Sequence, residues 1–316
     1  MAKSIMDKWH KGKEATHKKN WRNAITGITI GGLGDIKKKA IRFNYYSIEE
    51  MNGRIMVCPE FDADNKPETQ EVYTITGQEL LVSLHNLYER INRPTDKRPP
   101  YDLLIAEWCK RHTHPYNVSG ILEEMAAIDD DQSFYHAQGR LERYASFELD
   151  RFIRDLSSIS HALDMYVAIT DLQTRNDGTM AKNLYYEGIF DDGLPFFEKY
   201  RNTRIKLTDE ILITYASLFP DLSMKLEYQG EDKKFVIAPV VYSIFDIAWY
   251  TLSCMSGMTG AMENGYTKLP VSRCECCNML FVKTGNRQKY CSDQQCQAYR
   301  NNKKSKAYEE RKKSQS

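Results

Sequence analysis

The sequence lacks an uninterrupted apolar run long enough to cross a membrane. Its longest apolar segment, residues 235–258, is interrupted by Ser243, Asp246 and Ser253, whereas a spanning helix needs about 20 consecutive apolar residues. Hydrophobic residues make up 41% and charged residues 28% of the 316-residue chain, as in ordinary soluble proteins. We therefore predict a soluble protein with a substantial core, and we exclude a membrane from its partners.

Recognisable motifs of catalysis and cofactor binding are also missing. Residues 28–34 are rich in glycine, but Lys37 stands where a dinucleotide-binding fingerprint needs its third glycine. Residues 62–67 begin like a calcium loop, yet Pro67 takes the place of the obligatory glycine. No nucleophile–base pair, phosphate loop or acid pair with a known spacing is present. We therefore predict that the protein is not an enzyme, which leaves open only a site assembled from distant residues.

The sequence shows neither a signal peptide nor a regular cysteine spacing in its first 270 residues. The cysteines of this region, Cys58, Cys109 and Cys254, are scattered in apolar contexts. Disulfides are typical of secreted proteins and are rare in the cytosol. We therefore expect a cytoplasmic protein whose thiols are free or bind a metal.

A formal net charge of +1 hides a strong asymmetry along the chain. Residues 271–316 hold eleven Lys or Arg against four Asp or Glu, whereas the first 270 residues hold 33 against 39. Residues 1–22 are also basic, with seven against two. A local excess of cations favours a polyanionic partner. Either end could contact nucleic acid, although a solvated terminus is the plainer interpretation of residues 1–22.

The periodicity of apolar residues predicts an α+β fold in three segments. These are a basic N-terminal segment (1–22), a mostly helical body with small antiparallel hairpins or a meander (23–270), and a finger with a basic helix (271–316). Strand-like runs predict a meander from residues 41–46, 54–61 and 71–76, and a hairpin from 224–228 and 234–237. Helical spacing predicts helices from Gly77 to before Pro94 and over residues 103–111, 118–128, 141–172, 195–200, 208–219 and 240–262. The short linker before residue 271 predicts that the finger is held against the body.

Five of the eight cysteines fall within residues 274–296. Four form two pairs: Cys274 and Cys277 have two residues between them, and Cys291 and Cys296 have four. A structural zinc site is tetrahedral and takes thiolates from two local turns, so this spacing predicts one structural Zn²⁺ bound by all four. We interpret Cys276, which lies inside the first pair, as a spare thiol.

The residues around these cysteines predict the local fold of the finger. Asn278 follows the first pair, where the backbone needs a positive φ that Asn tolerates. Residues 279–282 and 289–290 predict the two strands of a hairpin that turns at residues 285–286. Ser292, with Gln295 three residues on, predicts a helix N-cap and places Cys296 in the first turn. The turn that carries Cys274 and Cys277 (the knuckle), the hairpin and the helix together predict a treble-clef zinc finger.

The pattern C-x3-F, followed by R-x-[RK]-[YW]-C-S-x3-C and a basic helix, resembles the C-terminal zinc finger of bacterial CGNR-type proteins. It is also similar to the wider set of short bacterial YCS-x3-C treble clefs. The matching positions are Cys277, Phe281, Arg287, Lys289, Tyr290, Cys291, Ser292, Cys296 and Arg300. The first cysteine pair is closer than in that family, and residues 297–300, Gln-Ala-Tyr-Arg, replace its naming tetrapeptide. The resemblance covers about residues 270–313 and implies an N-terminal helical domain and a role in transcriptional regulation.

Basic side chains accompany the predicted zinc site on the hairpin and along one face of the last helix. They are Lys283, Arg287, Lys289, Arg300, Lys303, Lys304 and Arg311. Fixed cations suit a regular array of phosphates, so we predict contact with nucleic acid, DNA in preference to RNA. The alternatives are a solubilising tail, or a protein-interaction module that docks a partner or the chain's own acidic body. The body could also sense a ligand or form a homodimer.

Overall fold

The chain folds around a group of packed helices. The structure, a computed structural model, describes residues 37–60, 70–93, 100–126, 139–175, 178–186, 207–229, 234–259, 271–284 and 287–314. The helices named in these ranges are α1 Gly77–Asn92, α2 Tyr101–Arg111, α3 Val118–Ala126, α4 Leu149–Arg175, α5 Thr179–Tyr186, α6 Leu207–Ser217, α7 Ile244–Thr259 and α8 Gln294–Ser314. Residues 139–145 are helical as well. The strands are β1 Lys37–Phe43, β2 Tyr46–Met51, β3 Arg54–Pro59, β4 Gln70–Thr76, β5 Phe147–Glu148, β6 Met224–Gln229, β7 Lys234–Pro239, β8 Val271–Arg273 and β9 Leu280–Val282.

The centre of the core is formed by α1, α4 and α7, which pack on one another. The apolar residues that recur at helical spacing on α1 are buried: Leu80, Leu81, Leu84, Leu87 and Ile91. On α4 the buried positions from Phe152 to Ile169 recur at helical spacing, which turns one face of a 27-residue helix toward the core. Gly77 lies where α1 begins, and a Cβ there would come within 1.9 Å of the Thr251 hydroxyl oxygen on α7. The glycine therefore permits the close approach of these two helices.

The predicted helices of the described ranges are present, with shifts of a few residues at their ends. The long helical signal over residues 141–172 divides at Ser146 into a short helical stretch, the two-residue strand β5 and α4. Among the described helices, none combines the length and the apolarity needed to cross a membrane. The body is therefore mostly helical with small antiparallel sheets.

The pairing of the first strands differs from the predicted meander. β1 pairs with β4, whereas β3 pairs with β2 on one side and β5 on the other. The meander prediction was wrong because it missed β2, a half-polar strand without a strong run of β-branched residues, and therefore joined β3 to β4. The predicted hairpin of β6 and β7 is confirmed.

The finger lies directly against the body. β9 packs on α1, and Asn86 of α1 makes two hydrogen bonds with the backbone of Leu280: its amide donates to the carbonyl at 2.9 Å and its oxygen accepts from the N–H at 3.0 Å. Arg93, just after α1, donates to the Cys277 carbonyl at 3.1 Å. Arg273 of β8 forms an ion pair with Asp164 of α4. The sequence-based expectation of a finger held against the body is therefore confirmed.

Several predictions fall on residues outside the described ranges. These are the basic segment 1–22, the glycine-rich residues 28–34, the connection 62–67, the helix 195–200 and the turn 285–286.

Candidate metal centre

The four predicted cysteine ligands converge in the structure. One sulfur atom from each of Cys274, Cys277, Cys291 and Cys296 lies within 4.8 Å of the other three. The Cys277 and Cys291 sulfurs are 3.9 Å apart, close to the edge of about 3.8 Å in a tetrahedron with 2.3 Å metal–sulfur bonds. A disulfide would need about 2.05 Å, and all eight cysteines are free thiols. The cluster can therefore hold one metal ion.

The first pair is positioned by a knuckle between β8 and β9. The two strands pair antiparallel, with Arg273 opposite Leu280. Inside the turn, the Cys274 N–H donates to the Met279 carbonyl at 2.9 Å, and the Asn278 N–H donates to the Cys274 carbonyl at 2.9 Å. Asn278 has φ of 61°, as predicted for the residue after the pair. This turn directs the Cys274 and Cys277 sulfurs toward the same point.

The second pair is positioned by the start of α8. The Asp293 carboxylate accepts hydrogen bonds from the N–H groups of Gln295 and Cys296 at 2.9 and 3.3 Å, so Asp293 caps the helix. The prediction of Ser292 as N-cap was wrong by one residue. Cys296 lies in the first turn as predicted, while the Cys291 N–H points at the Cys274 sulfur at 3.4 Å.

The predicted partner strand of β9 is also different. β9 pairs with β8, which precedes the knuckle, and residues 289–290 are not in a strand. The Glu275 N–H nevertheless donates to the Lys289 carbonyl at 3.0 Å, so the returning chain is tied to the knuckle by one backbone bond. The observed arrangement is a hairpin carrying the first pair, a loop, and a helix carrying Cys296.

Burial, backbone N–H groups and neighbouring thiols shift the pKa values of these cysteines. Burial raises the pKa of Cys274, but the N–H groups of Cys277, Cys291 and Cys276 outweigh it and lower that pKa to about 6. Burial, followed by the neighbouring thiols, raises the pKa of Cys296. A buried group of thiols resists further deprotonation because thiolates repel one another, and a divalent cation removes this repulsion. The donor set therefore fits a cation that is bound by thiolates.

Cys274 and Cys296 share a small apolar cluster with Phe281 and Tyr290. Cys276 is exposed and is not one of the four converging thiols, in agreement with its interpretation as a spare thiol. Few side chains are thus available to stabilise the finger apart from the metal and the contacts with the body.

A basic groove of about 930 Å³ runs beside the metal centre, between the loop before Cys291 and α8. Five of the seven predicted basic residues line it: Arg287, Lys289, Arg300, Lys303 and Lys304. Lys283, at the end of β9, and the exposed Arg311, farther along α8, are not part of its lining. The cations of the loop and of the helix therefore face one shared space.

Among the described residues that line this groove, Glu275 is the one carboxylate. It accepts a hydrogen bond from Lys289 at 2.9 Å and another from the Tyr290 hydroxyl at 2.9 Å, and Lys303 lies 3.8 Å away. The Lys289 and Tyr290 hydrogen bonds keep the pKa of Glu275 below its usual value. Glu275 thus links the loop wall of the groove to its helix wall.

Several important residues carry no signal in the sequence. Asn86, Arg93 and Asp164 contact the finger from positions 109 to 194 residues away along the chain, which local patterns cannot show. The sequence places Glu275 between Cys274 and Cys276, but it does not show that its carboxylate pairs with Lys289 and Lys303 in the groove.

Comparisons of the chain with known protein families, curated proteins and solved structures return no match. The metal centre and the groove are therefore the features from which a function can be inferred.

Proposed function

We propose that the protein binds nucleic acid, duplex DNA in preference to RNA, through a zinc-stabilised finger whose groove receives the phosphate backbone. The observation that carries the proposal is the groove beside the four cysteines, where five cations face one carboxylate. By the resemblance of the finger to CGNR-type proteins, the role would be transcriptional regulation. The proposal includes no catalytic step and places the protein in the cytoplasm.

Zinc is the metal that these ligands favour. Four thiolates in a tetrahedral arrangement are typical of structural zinc and leave no open position for water or substrate. The sulfur–sulfur distance of 3.9 Å agrees with that geometry. A treble-clef finger would use this ion to hold the knuckle and the first turn of α8 together.

The groove offers contacts that suit a phosphate backbone. Its cations come from the loop before Cys291 and from α8, so they lie on two facing walls of the groove and not along a single tail. Phosphate contacts position a protein on DNA without reading its sequence. Tyr299 is half exposed beside Tyr290, with 6.1 Å between ring centroids, and it could add stacking on a base.

The exposure of α8 favours an external partner for its basic side chains, and not the chain's own acidic body. Residues 301–312 are exposed, and the finger contacts the body through β8, β9 and the knuckle. The basic face therefore stays accessible while the finger is docked. Docking itself favours a second candidate function, in which the finger is a stabilising or protein-interaction module and α8 is a solvated tail.

The test is binding of labelled duplex DNA, single-stranded DNA and RNA by the zinc-loaded full chain across salt concentrations. We expect binding to weaken with salt, with a slope of about −0.9 in log K against log salt for each duplex phosphate contacted. Cys296→Ser should abolish binding if the metal positions the groove. Failure of the zinc-loaded chain to bind any of the three nucleic acids would refute the proposal and favour the second candidate.

A matched pair of lysines separates groove contacts from general charge. Lys304 lines the groove, whereas Lys306, also exposed on α8, does not. We expect Lys304→Ala to reduce the salt slope by about one and Lys306→Ala to leave it nearly unchanged. Glu275→Gln removes the carboxylate of the groove and should tighten binding. Equal effects of the two lysine variants would indicate a non-specific basic tail.

A further inference from the structure

A second group of potential ligands lies outside the cysteine cluster, where the body meets the finger. His85 and Glu89 are four residues apart on α1, so they share one helix face, and Asp164 approaches them from α4. One ligand atom from each lies within 4.8 Å of the other two. We propose that His85, Glu89 and Asp164 bind a second divalent transition-metal ion.

The distances in this group suit ligands of a shared cation better than direct hydrogen bonds. The Nε2 atom of His85 is 3.5 Å from the Asp164 Oδ1 atom and 3.8 Å from the Glu89 Oε1 atom. Good hydrogen bonds are about 2.7 to 3.2 Å long. Ligands of a tetrahedral ion with bonds of about 2.0 to 2.2 Å are separated by roughly 3.3 to 3.6 Å. Glu89, whose side chain is 28% exposed, would have to move slightly closer to His85 to reach that separation.

The burial of His85 gives an independent reason to expect a ligand. Its side chain is 1% exposed, and neither ring nitrogen makes a hydrogen bond of good geometry with the described part of the chain. A buried polar group without a partner is costly. The backbone carbonyl of Ser160 lies near the ring, and such a carbonyl commonly orients a metal-bound histidine. An ion at Nε2 would satisfy the ring.

The charges around His85 also favour a cation. Two carboxylates face the imidazole, and the guanidinium of Arg273 pairs with one of them, Asp164. Two negative charges against one positive charge leave an excess of one negative charge at this partly enclosed place. Arg273 donates to Oδ1 of Asp164, the same oxygen that faces His85. It thereby holds the carboxylate in position, as residues around a metal site commonly do for its ligands.

The composition of the group defines the type of site. One nitrogen and two carboxylate oxygens suit Zn²⁺ or Co²⁺, and they accept Mn²⁺ more readily than a thiolate-rich centre does. Three protein ligands leave a coordination position open. Glu89 is 28% and Asp164 14% exposed, so this position is accessible to water or a small anionic ligand. The site is thus exchangeable, in contrast to the closed four-cysteine centre.

Cobalt distinguishes the two sites in the full chain. Protein whose cysteine centre is already filled with zinc would be titrated with Co²⁺, and bound metal would be counted by elemental analysis. We expect one saturable Co²⁺ per chain with weak d–d bands and without thiolate-to-cobalt charge transfer. Zinc alone bound at one ion per chain, with cobalt entering only by displacement at thiolates, overturns the proposal.

Variants connect the second ion to its ligands. His85→Asn should lose the second ion, and Glu89→Gln, at the exposed edge, should weaken it by at least about tenfold. His112→Asn is the control, because His112 lies at the end of α2, stacked on Trp108, outside the group. Circular dichroism checks that each variant is folded. Unchanged cobalt binding in folded Glu89→Gln refutes the assignment even if His85→Asn does not fold.

Discussion

Docking of the finger on α1 should contribute directly to its metal affinity. Asn86→Ala removes both hydrogen bonds to the Leu280 backbone and leaves a buried N–H and carbonyl unpaired in β9. A lost intramolecular hydrogen bond costs about 1 kcal/mol, and more when a buried partner stays unpaired. We therefore expect Asn86→Ala to destabilise the docked conformation of the finger, relative to the undocked one, by about 2 kcal/mol.

This destabilisation should lower the metal affinity of the cysteine cluster, because the finger has only a small core of its own and depends on the body for support. If the docked conformation is the one that binds zinc, 2 kcal/mol lowers the apparent affinity about thirtyfold. The assay is competition for zinc between the full chain and a chromophoric chelator, with the unfolding of the helical body followed separately by circular dichroism.

Asn92→Ala is the matched control. Asn92 lies on the same helix, but its side chain donates to the Tyr88 carbonyl of α1 at 3.0 Å and not to the finger. Zinc affinity in this variant should stay near that of the unmodified chain. An Asn86→Ala protein that competes for zinc as well as Asn92→Ala does would show that the finger binds its metal independently of the body.

Three further predictions concern protonation, packing and ligand identity. Burial lowers the pKa of His114 to about 3, below the unfolded value of about 6.5. The stability that the neutral imidazole contributes to the folded protein is therefore fully present above pH 6.5 and is lost as the pH falls toward 3. At pH 5 the loss is about 2 kcal/mol, and His114→Asn should show a smaller difference in Tm between pH 7 and 5; an equal difference contradicts this. Gly77→Ala should destabilise the body by about 1 to 3 kcal/mol through its clash with Thr251, and adding Thr251→Ala should restore part of this in urea unfolding; a lack of recovery would place the strain elsewhere. Elemental analysis should show less bound zinc in Cys277→Ser and unchanged zinc in Cys276→Ser, because Cys277 belongs to the four converging cysteines and Cys276 does not; equal retention would argue against the assigned ligands.

Local features of the sequence were sufficient to predict the helices of the described ranges and the four cysteines that converge. The stripe from Leu80 to Ile91 specifies the buried face of α1 because helical periodicity is a property of neighbouring residues. The two cysteine pairs could be predicted for the same reason, since each pair lies within one turn. The positive φ of Asn278 also follows from its place after the knuckle. The N-cap was predicted at Ser292 and lies at Asp293, a neighbouring residue of capping type that the capping-box pattern did not select.

Contacts between distant segments could not be predicted in this way. The pairing of β1 with β4 passes over β2 and β3, and the pairing of β3 with β5 joins strands that are about 90 residues apart along the chain. An unrecognised β2 also changed the expected order. Asn86 and Leu280 are 194 residues apart, and nothing in either local sequence identifies the other. His85 and Glu89 show a local signal, their i, i+4 spacing, but Asp164 completes the group only in three dimensions.

The distribution of charge and its geometry have different origins in this finger. Charge belongs to the sequence, so a chain without metal would keep the same basic residues. The separation of the two walls of the groove is expected to depend on the four-cysteine cluster. Arg287 and Lys289 lie on the loop before Cys291, whereas Lys303 and Lys304 lie on α8, which carries Cys296 in its first turn. A metal bound by cysteines on both sides of this junction would hold the two walls at a fixed separation. A solvated tail needs the charge alone, whereas a phosphate-binding groove needs both, and loss of binding on removal of one ligand therefore distinguishes the two functions.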